Sequence, residues 1–329
     1  MPSGENLEQS FEKAERLRNQ GYFDRAAAIY RKVLATSENR DPELYIESCL
    51  SLASVHRSLG AVKQARERLK QAERMARKLG TREFNDRLAL EDALVDRAAG
   101  AYAKSLSKLK VFLNKFRRER DWSGAAFILW ATGGARRFSG DLKGGERDFH
   151  DSLKFAKRAK DKDGQIYALF GLGGVTRIAG RLEESRKFYT EAGKQLKGSD
   201  DVFGRAYAHC GLANALRQLG LWAEARKNYE RSHRLYSSLG DKVDLAYVDW
   251  GLGKIALQQG EFSAAENYFR KALKGFAWGD EARGLALTEG SLAALHHARG
   301  DTKTAESWFE RSLNTARKAG LRTYLEPFT

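Results

Sequence analysis

Residues 206–240 read AYAHCGLANALRQLGLWAEARKNYERSHRLYSSLG and carry the plan of the whole chain. AYAHCGLANALRQ has the apolar spacing of a helix and stops at Leu219-Gly220. LWAEARKNYERSHRLYSSL then resumes as a second helix and stops at Gly240. Gly220 suits the left-handed turn that ends the first helix, a conformation that costs other residues a steric penalty. The same glycine recurs every 40 residues, at Gly60, Gly100, Gly140, Gly180, Gly220, Gly260 and Gly300, with Gly21 leading the series. One period through nearly the whole chain means one supersecondary unit stacked many times.

Each unit also has a marked start. An aspartate stands nineteen residues before five of the glycines, at Asp41, Asp121, Asp161, Asp201 and Asp241, and Thr81 holds that place before Gly100. A side-chain oxygen there can accept from the free amides of a first helical turn. Pro42 adds a residue suited to the first helical position. Only 3 prolines occur in 329 residues, at Pro2, Pro42 and Pro327, which leaves the interior free of helix breakers and favours an all-α chain.

Small residues seven before and five after the glycine, an aromatic or Leu nine after and a small residue twelve after complete the pattern. These sets read Ala213, Ala225, Tyr229, Ser232; Gly253, Ala265, Phe269, Ala272; Gly173, Ser185, Tyr189, Ala192; and Ala53, Ala65, Leu69, Ala72. On these residues the chain resembles the tetratricopeptide repeat family, in the long 40-residue subclass found in spindle-orientation adaptors and in the solenoid parts of bacterial regulators. The resemblance is weakest around Gly100, where Phe112 stands at a small-residue place, and Gly145 replaces the usual alanine after Gly140. It implies an all-α, right-handed superhelical solenoid of about eight helix-turn-helix pairs. The expected layout is a tail at 1–6, repeats at 7–45, 46–85, 86–125, 126–165, 166–205, 206–245, 246–285 and 286–325, and a tail at 326–329.

The resemblance further implies that the first helix of each pair lines a concave surface. Offsets of −13, −10, −6 and −3 from the glycine share one helical stripe. At −3 the chain reads Arg18, Arg57, Arg97, Arg137, Arg177 and Arg217, then Leu257 and His297. At −10 stand Leu50, Leu90, Trp130, Phe170, Cys210 and Trp250, and at −13 Phe127, Tyr167, Tyr207 and Tyr247. At −6 stand Gly134, Gly174, Asn214 and Lys254, and at −9 Ala131, Gly171, Gly211 and Gly251. Two readings compete. Either the arginines offset helix dipoles while the aromatics and glycines serve packing, or the stripe is a groove in which arginine meets carboxylates and aromatics anchor a ligand. The groove reading selects Arg97, Arg137, Arg177, Arg217, Phe127, Trp130, Tyr167, Phe170, Tyr207, Asn214, Tyr247, Trp250 and Lys254 as the partner-binding set.

No catalytic constellation competes with that reading. GLGGVT at 171–176 resembles a phosphate loop but lies within a predicted helix with no strand before it. The six histidines have no metal-ligand spacing, no nucleophile arrangement is evident, and neither a cofactor nor a metal is implied. The KFRRER run at 115–120 reads as the end of an exposed helix. No run of about 18 apolar residues predicts a membrane span. The polar N-terminus lacks the apolar centre of a signal peptide, and Cys49 and Cys210 lie far apart, so a cytoplasmic protein with reduced cysteines is expected.

The formal net charge is +15. It points to acidic partners, nucleic acid or membrane headgroups without choosing among them. The expected function is a non-catalytic scaffold or adaptor that binds an acidic, aromatic-containing peptide or partner domain in the basic groove. Single-stranded nucleic acid along the same ladder is the alternative, and homo-oligomerisation through the solenoid ends or the tail LRTYLEPFT is a third.

Overall fold

A computed structural model describes residues 6–279 and 281–321. Among the described residues every regular element is an α-helix. In chain order they form eight pairs: α1 (Leu7–Asn19) with α2 (Phe23–Ser37), α3 (Pro42–Ser58) with α4 (Val62–Leu79), α5 (Asn85–Ala98) with α6 (Tyr102–Glu119), α7 (Trp122–Ser139) with α8 (Leu142–Ala159), α9 (Lys162–Ile178) with α10 (Leu182–Gln195), α11 (Val202–Gln218) with α12 (Trp222–Leu239), α13 (Lys242–Gln258) with α14 (Phe262–Trp278), and α15 (Ala282–Ala298) with α16 (Thr302–Lys318).

The glycine of each mid-pair turn is left-handed, with φ from 74° to 94° across Gly21, Gly60, Gly100, Gly140, Gly180, Gly220, Gly260 and Gly300. The turn closes on the arginine ladder: the amide of Gly180 donates to the carbonyl of Arg177 at 3.1 Å. Second helices α4, α12 and α16 end on left-handed Gly80, Gly240 and Gly320, Gly279 after α14 keeps φ −90°, and Arg120 and Lys160 take the left-handed conformation at φ 58° and 56°.

The aspartates at −19 cap the first helices as expected. Asp41, Asp121, Asp161, Asp201 and Asp241 accept from the third residue onward at 2.7–3.0 Å. Thr81 departs from this expectation. Its hydroxyl accepts from the Glu83 amide at 3.2 Å, but α5 starts only at Asn85, with Phe84 as its uncapped flank. Capping also reaches further than the aspartates at −19: Glu281 accepts from the Gly284 amide, and Asp141 and Asp301 cap second helices. Since the caps mark the starts, the block edges at 46, 126, 166, 206, 246 and 286 fall inside first helices.

The side chain nine residues after each glycine fills the seam. Tyr30, Leu69, Leu109, Phe149, Tyr189, Tyr229 and Phe269 are all at most 3% exposed. Full burial of such a side chain contributes about 1.5–3 kcal/mol. The rings wedge between the first helix of their own pair and that of the next. A β-carbon at Gly173 would stand 2.7 Å from Tyr189, and one at Gly211 would stand 2.1 Å from it. Gly171 and Gly251 meet Phe149 and Tyr229 in the same way, at 2.2 and 2.3 Å. The glycines at −9 therefore admit the protein's own aromatics. Phe309, the equivalent residue of the eighth pair, is 47% exposed, with no further described helix to cover it.

Curvature follows from which helices touch. First helices of successive pairs pack on one another (α7 on α9, α9 on α11, α11 on α13, α13 on α15), and second helices make no comparable contact. First helices thus line the inside of the bend. The bend carries the chain back onto itself. Phe23 meets Phe203 edge to face at 5.6 Å, and a β-carbon on Gly21 would come within 2.5 Å of Phe203. Arg283, at the start of α15, lies 5.9 Å from the Phe138 ring at the end of α7.

Candidate functional site

The stripe chosen from sequence lies on the inner helices but divides by exposure. Phe127 is exposed at 40%, while Phe170, Trp250, Arg217 and Lys254 are at most 6% exposed. Arg97, Arg137, Arg177, Trp130, Tyr167, Tyr207, Asn214 and Tyr247 are half-buried. The aromatics form a continuous inner seam: Phe127 packs on Trp130, Trp130 on Tyr167, Tyr167 on Phe170 and Phe170 on Tyr207, at 4.9–5.8 Å between ring centres. Tyr247 lies apart from this run, edge to face on Phe276 at 4.6 Å.

Several members have internal duties. Asn214 accepts a hydrogen bond from the Tyr229 hydroxyl at 2.7 Å, which holds the seam ring in place. Trp250 donates through Nε1 to the Ser291 hydroxyl at 2.9 Å, and Arg217 lies over the Trp250 ring at 5.2 Å. Burial, followed by the nearby Arg217 charge, pushes the Lys254 ammonium down to about 8.

The arginine ladder takes different partners along the chain. Arg18 pairs with Glu15 on its own helix at 2.5 Å. Arg57 reaches Glu91 of the next first helix at 2.6 Å. Arg97 instead lies over the Trp130 ring at 4.7 Å, and a β-carbon on Gly134 would meet its Nη1 at 2.7 Å. Arg137 repeats the arrangement over Gly174, with Nη1 2.1 Å from where a β-carbon would stand. The glycines at −6 therefore make room for guanidinium groups of the preceding pair. Burial first, and then the Arg57 and Arg137 charges, drive Arg97 down to about 9 against the weak opposition of Glu91.

Sequence spacing did not mark Tyr102 and Phe138, which meet as neighbours on α6 and α7, or Arg283, which joins the ladder because the chain winds over itself. Tyr102 stacks on Phe138 at 6.3 Å between ring centres. Arg137, Arg177 and Arg283 line a cavity of ≈ 110 Å³ with Tyr189 and Tyr207. A larger groove of ≈ 710 Å³ lies elsewhere, between Phe188 and Glu191 of α10 and neighbouring side chains of α8, α9, α11 and α12. It shares no residue with the ladder. Among the described residues no group of three or more His, Cys, Asp or Glu could hold a metal, and no helix is long and apolar enough to cross a membrane. Cys49 and Cys210 are unbridged, and burial pushes both thiols up to about 12.

Two family models, each described as tetratricopeptide repeat, match residues 204–277 and 290–323. No curated protein matches the chain. Among solved structures it is similar to a Rap protein complexed with competence and sporulation factor, at TM-score 0.65 and 13% identity over 97% of this chain and 100% of that one. It is also similar to the Rap conjugation gene regulator of a plasmid in complex with the Phr* peptide, at TM-score 0.68 and 16% identity over 87% and 77% of the two chains. A third is the apo quorum sensor NprR from B. thuringiensis, at TM-score 0.64 and 13% identity over 94% and 87%. The 40-residue period, the eight helix pairs with their buried aromatic or leucine seams and these matches agree, and the chain is a tetratricopeptide-repeat protein.

Proposed function

We propose that this protein is a non-catalytic, cytoplasmic adaptor that captures an acidic, aromatic-containing peptide or partner segment on its inner surface. The observation that carries the reading is the inner stripe itself. Half-buried Arg97 and Arg137 lack a carboxylate partner among the described residues, and they lie beside the run of aromatic rings from Phe127 to Tyr207. A carboxylate that met these guanidinium groups would gain charge-assisted, bidentate hydrogen bonds. Aromatic side chains of the partner would find ring edges on which to pack. Two similar solved structures hold a factor or a peptide in their complexes, which supports a peptide-sized occupant. The free, inert cysteines fit a reducing compartment.

The double substitution Arg137→Glu/Arg177→Glu tests the reading. It is expected to abolish partner capture in a pull-down while helical content by circular dichroism stays unchanged. Unaltered capture by the folded variant would remove the inner stripe as the binding surface. Homo-oligomerisation through the tail concerns residues 322–329, outside the described residues.

A further inference from the structure

The second helices carry one irregularity that their own packing does not explain. Thirteen residues after the mid-pair glycine they read Leu34, Glu73, Leu113, Leu153, Gly193, His233, Leu273 and Leu313. Gly193 lies within α10, where glycine destabilises a helix relative to alanine. Gly171 and Gly174 of α9 make room for a ring and a guanidinium group, but a β-carbon on Gly193 would meet nothing nearer than the Ala208 side chain at 3.9 Å. α10 also stops early, with 14 residues where α8 and α12 have 18. Side-chain bulk is thus missing from α10 between its neighbours.

The groove of ≈ 710 Å³ runs along this helix, and Thr190 and Lys194, which flank Gly193 in sequence, are among its walls. Leu169 and Leu216, 5% and 2% exposed, give it an apolar floor, with Leu153, Phe188 and Leu212 half-buried beside them. Four lining side chains are cations, Lys157, Arg186, Lys187 and Lys194, against the two carboxylates Glu191 and Glu224. Arg186 is paired with Glu183 at 2.8 Å, and Lys194 lies 4.0 Å from Glu191. Lys157 and Lys187 are exposed and have no carboxylate partner among the described residues. A fitting occupant is therefore apolar on one side and acidic at its margins.

The walls are helices, whose backbone amides and carbonyls are already paired within them. An extended peptide would find no backbone ladder here, while a helix arrives with its own backbone satisfied. A helix about 10 Å across, sunk to half its depth, fills such a volume over about 18 Å, or roughly twelve residues. We propose that the groove along α10 docks an acidic amphipathic helix of a partner protein, its apolar stripe on Leu153, Phe188 and Leu212 and its carboxylates on Lys157 and Lys187. The groove shares no residue with the inner ladder and is independent of the inner-surface reading.

Fluorescence anisotropy of the full chain with three labelled synthetic peptides of one length tests it. The first places leucine at i, i+3, i+4 and i+7 with glutamate around that stripe, the second scrambles the same residues, and the third carries lysine for glutamate. The acidic amphipathic peptide is expected to bind at least about tenfold tighter than the other two, and to weaken as salt rises. Lys157→Glu/Lys187→Glu should weaken it at least about tenfold with helical content unchanged, since both side chains are exposed. Gly193→Leu, which restores the residue that α8 carries as Leu153, should keep or raise the melting temperature and weaken the same peptide. Arg137→Glu/Arg177→Glu should leave the affinity unchanged, which separates this surface from the inner one. Equal binding of the scrambled peptide, unchanged affinity in both folded groove variants, loss in the inner variant alone, or retention of single-stranded RNA in preference to the acidic peptide would each overturn the proposal.

Discussion

The first pairs of the solenoid and its middle pairs place the same arginine to opposite effect. Arg18 and Arg57 are neutralised within the protein, by Glu15 and Glu91. Glu15 also accepts from Tyr30 and Ser51. Burial alone would raise its pKa, but these hydrogen bonds and Arg18 more than offset that and hold the carboxyl below its usual range. On the same face Arg87 forks onto Glu47. In the middle, Arg97 and Arg137 lie on aromatic rings and on glycines instead. One helical position can therefore hold the solenoid together in one pair and present charge in another. What decides is the residue across the seam. Arg57 meets the Glu91 carboxylate there, whereas Arg137 meets the bare backbone of Gly174.

Exchanging the test between the two regions gives the largest expected effect. Arg57→Ala strands the almost enclosed Glu91 carboxylate and should cost about 3 kcal/mol in urea unfolding, with partner capture retained. Arg137→Ala should do the reverse, costing under about 1 kcal/mol of stability while weakening partner capture. Equal stability losses in the two variants would erase the distinction.

Two glycines one turn apart on α9 sharpen it next. A methyl at Gly171 would press on the ring of Phe149, which is 1% exposed and cannot yield. Gly171→Ala should therefore cost about 2 kcal/mol of stability by overpacking, beyond any gain in helix propensity. A methyl at Gly174 presses on the far end of the Arg137 side chain and stands at an ordinary contact distance of 3.6 Å from the Tyr189 hydroxyl. Its variant should keep the melting temperature and lose binding.

The acids show the opposite imbalance. Asp244 is half-buried next to the Asp241 carboxyl, with Glu281 also near, and the Tyr236 hydroxyl favours its charge. Asp24 from the second helix adds to the charge around Asp241. Burial, and then Asp241, holds the Asp244 carboxyl well above the usual range. A carboxylate with a raised folded-state pKa favours the folded state at low pH, and that advantage is lost as pH rises through the raised value. Through this pair the melting temperature should fall as pH rises above the ordinary carboxylate range. Glu15 and Asp96, both lowered, give stability that is lost only in stronger acid, below the ordinary carboxylate range. Asp244→Asn should flatten that decline, and an unchanged slope would refute the assignment.

The smallest effect concerns the turn residues. Lys160 occupies the left-handed place that glycine takes at Gly80 and Gly240. Lys160→Gly should gain about 0.5 kcal/mol, the steric relief less the entropy of the unfolded glycine. Thermal melts of the two proteins measure it.

Much of this was legible in the sequence because a repeat fixes local chemistry. The glycine step located every mid-pair turn, and five aspartates located helix starts, since both act through their own backbone neighbours. The start of α5 was not legible, because Thr81 looks like a cap while its hydroxyl serves a turn ahead of the helix. The glycines at −6 and −9 were legible as places of close approach, but not what approaches them. Tyr189 and the Arg137 guanidinium fill those spaces from neighbouring pairs, so the identity of the intruder is a question of packing between units.

By itself, then, the sequence determined the helix pair, its caps, its turns, its count and the face on which arginines and aromatics share a stripe. All of these depend on contacts within one period. Only the tertiary structure decided which arginines are neutralised, which aromatics are buried in the seam, and that Arg283 joins Arg137 and Arg177 around one cavity. Those outcomes depend on how far the superhelix turns per pair. That rotation is small at each step and accumulates over several, and it brings together residues that no spacing in the chain relates.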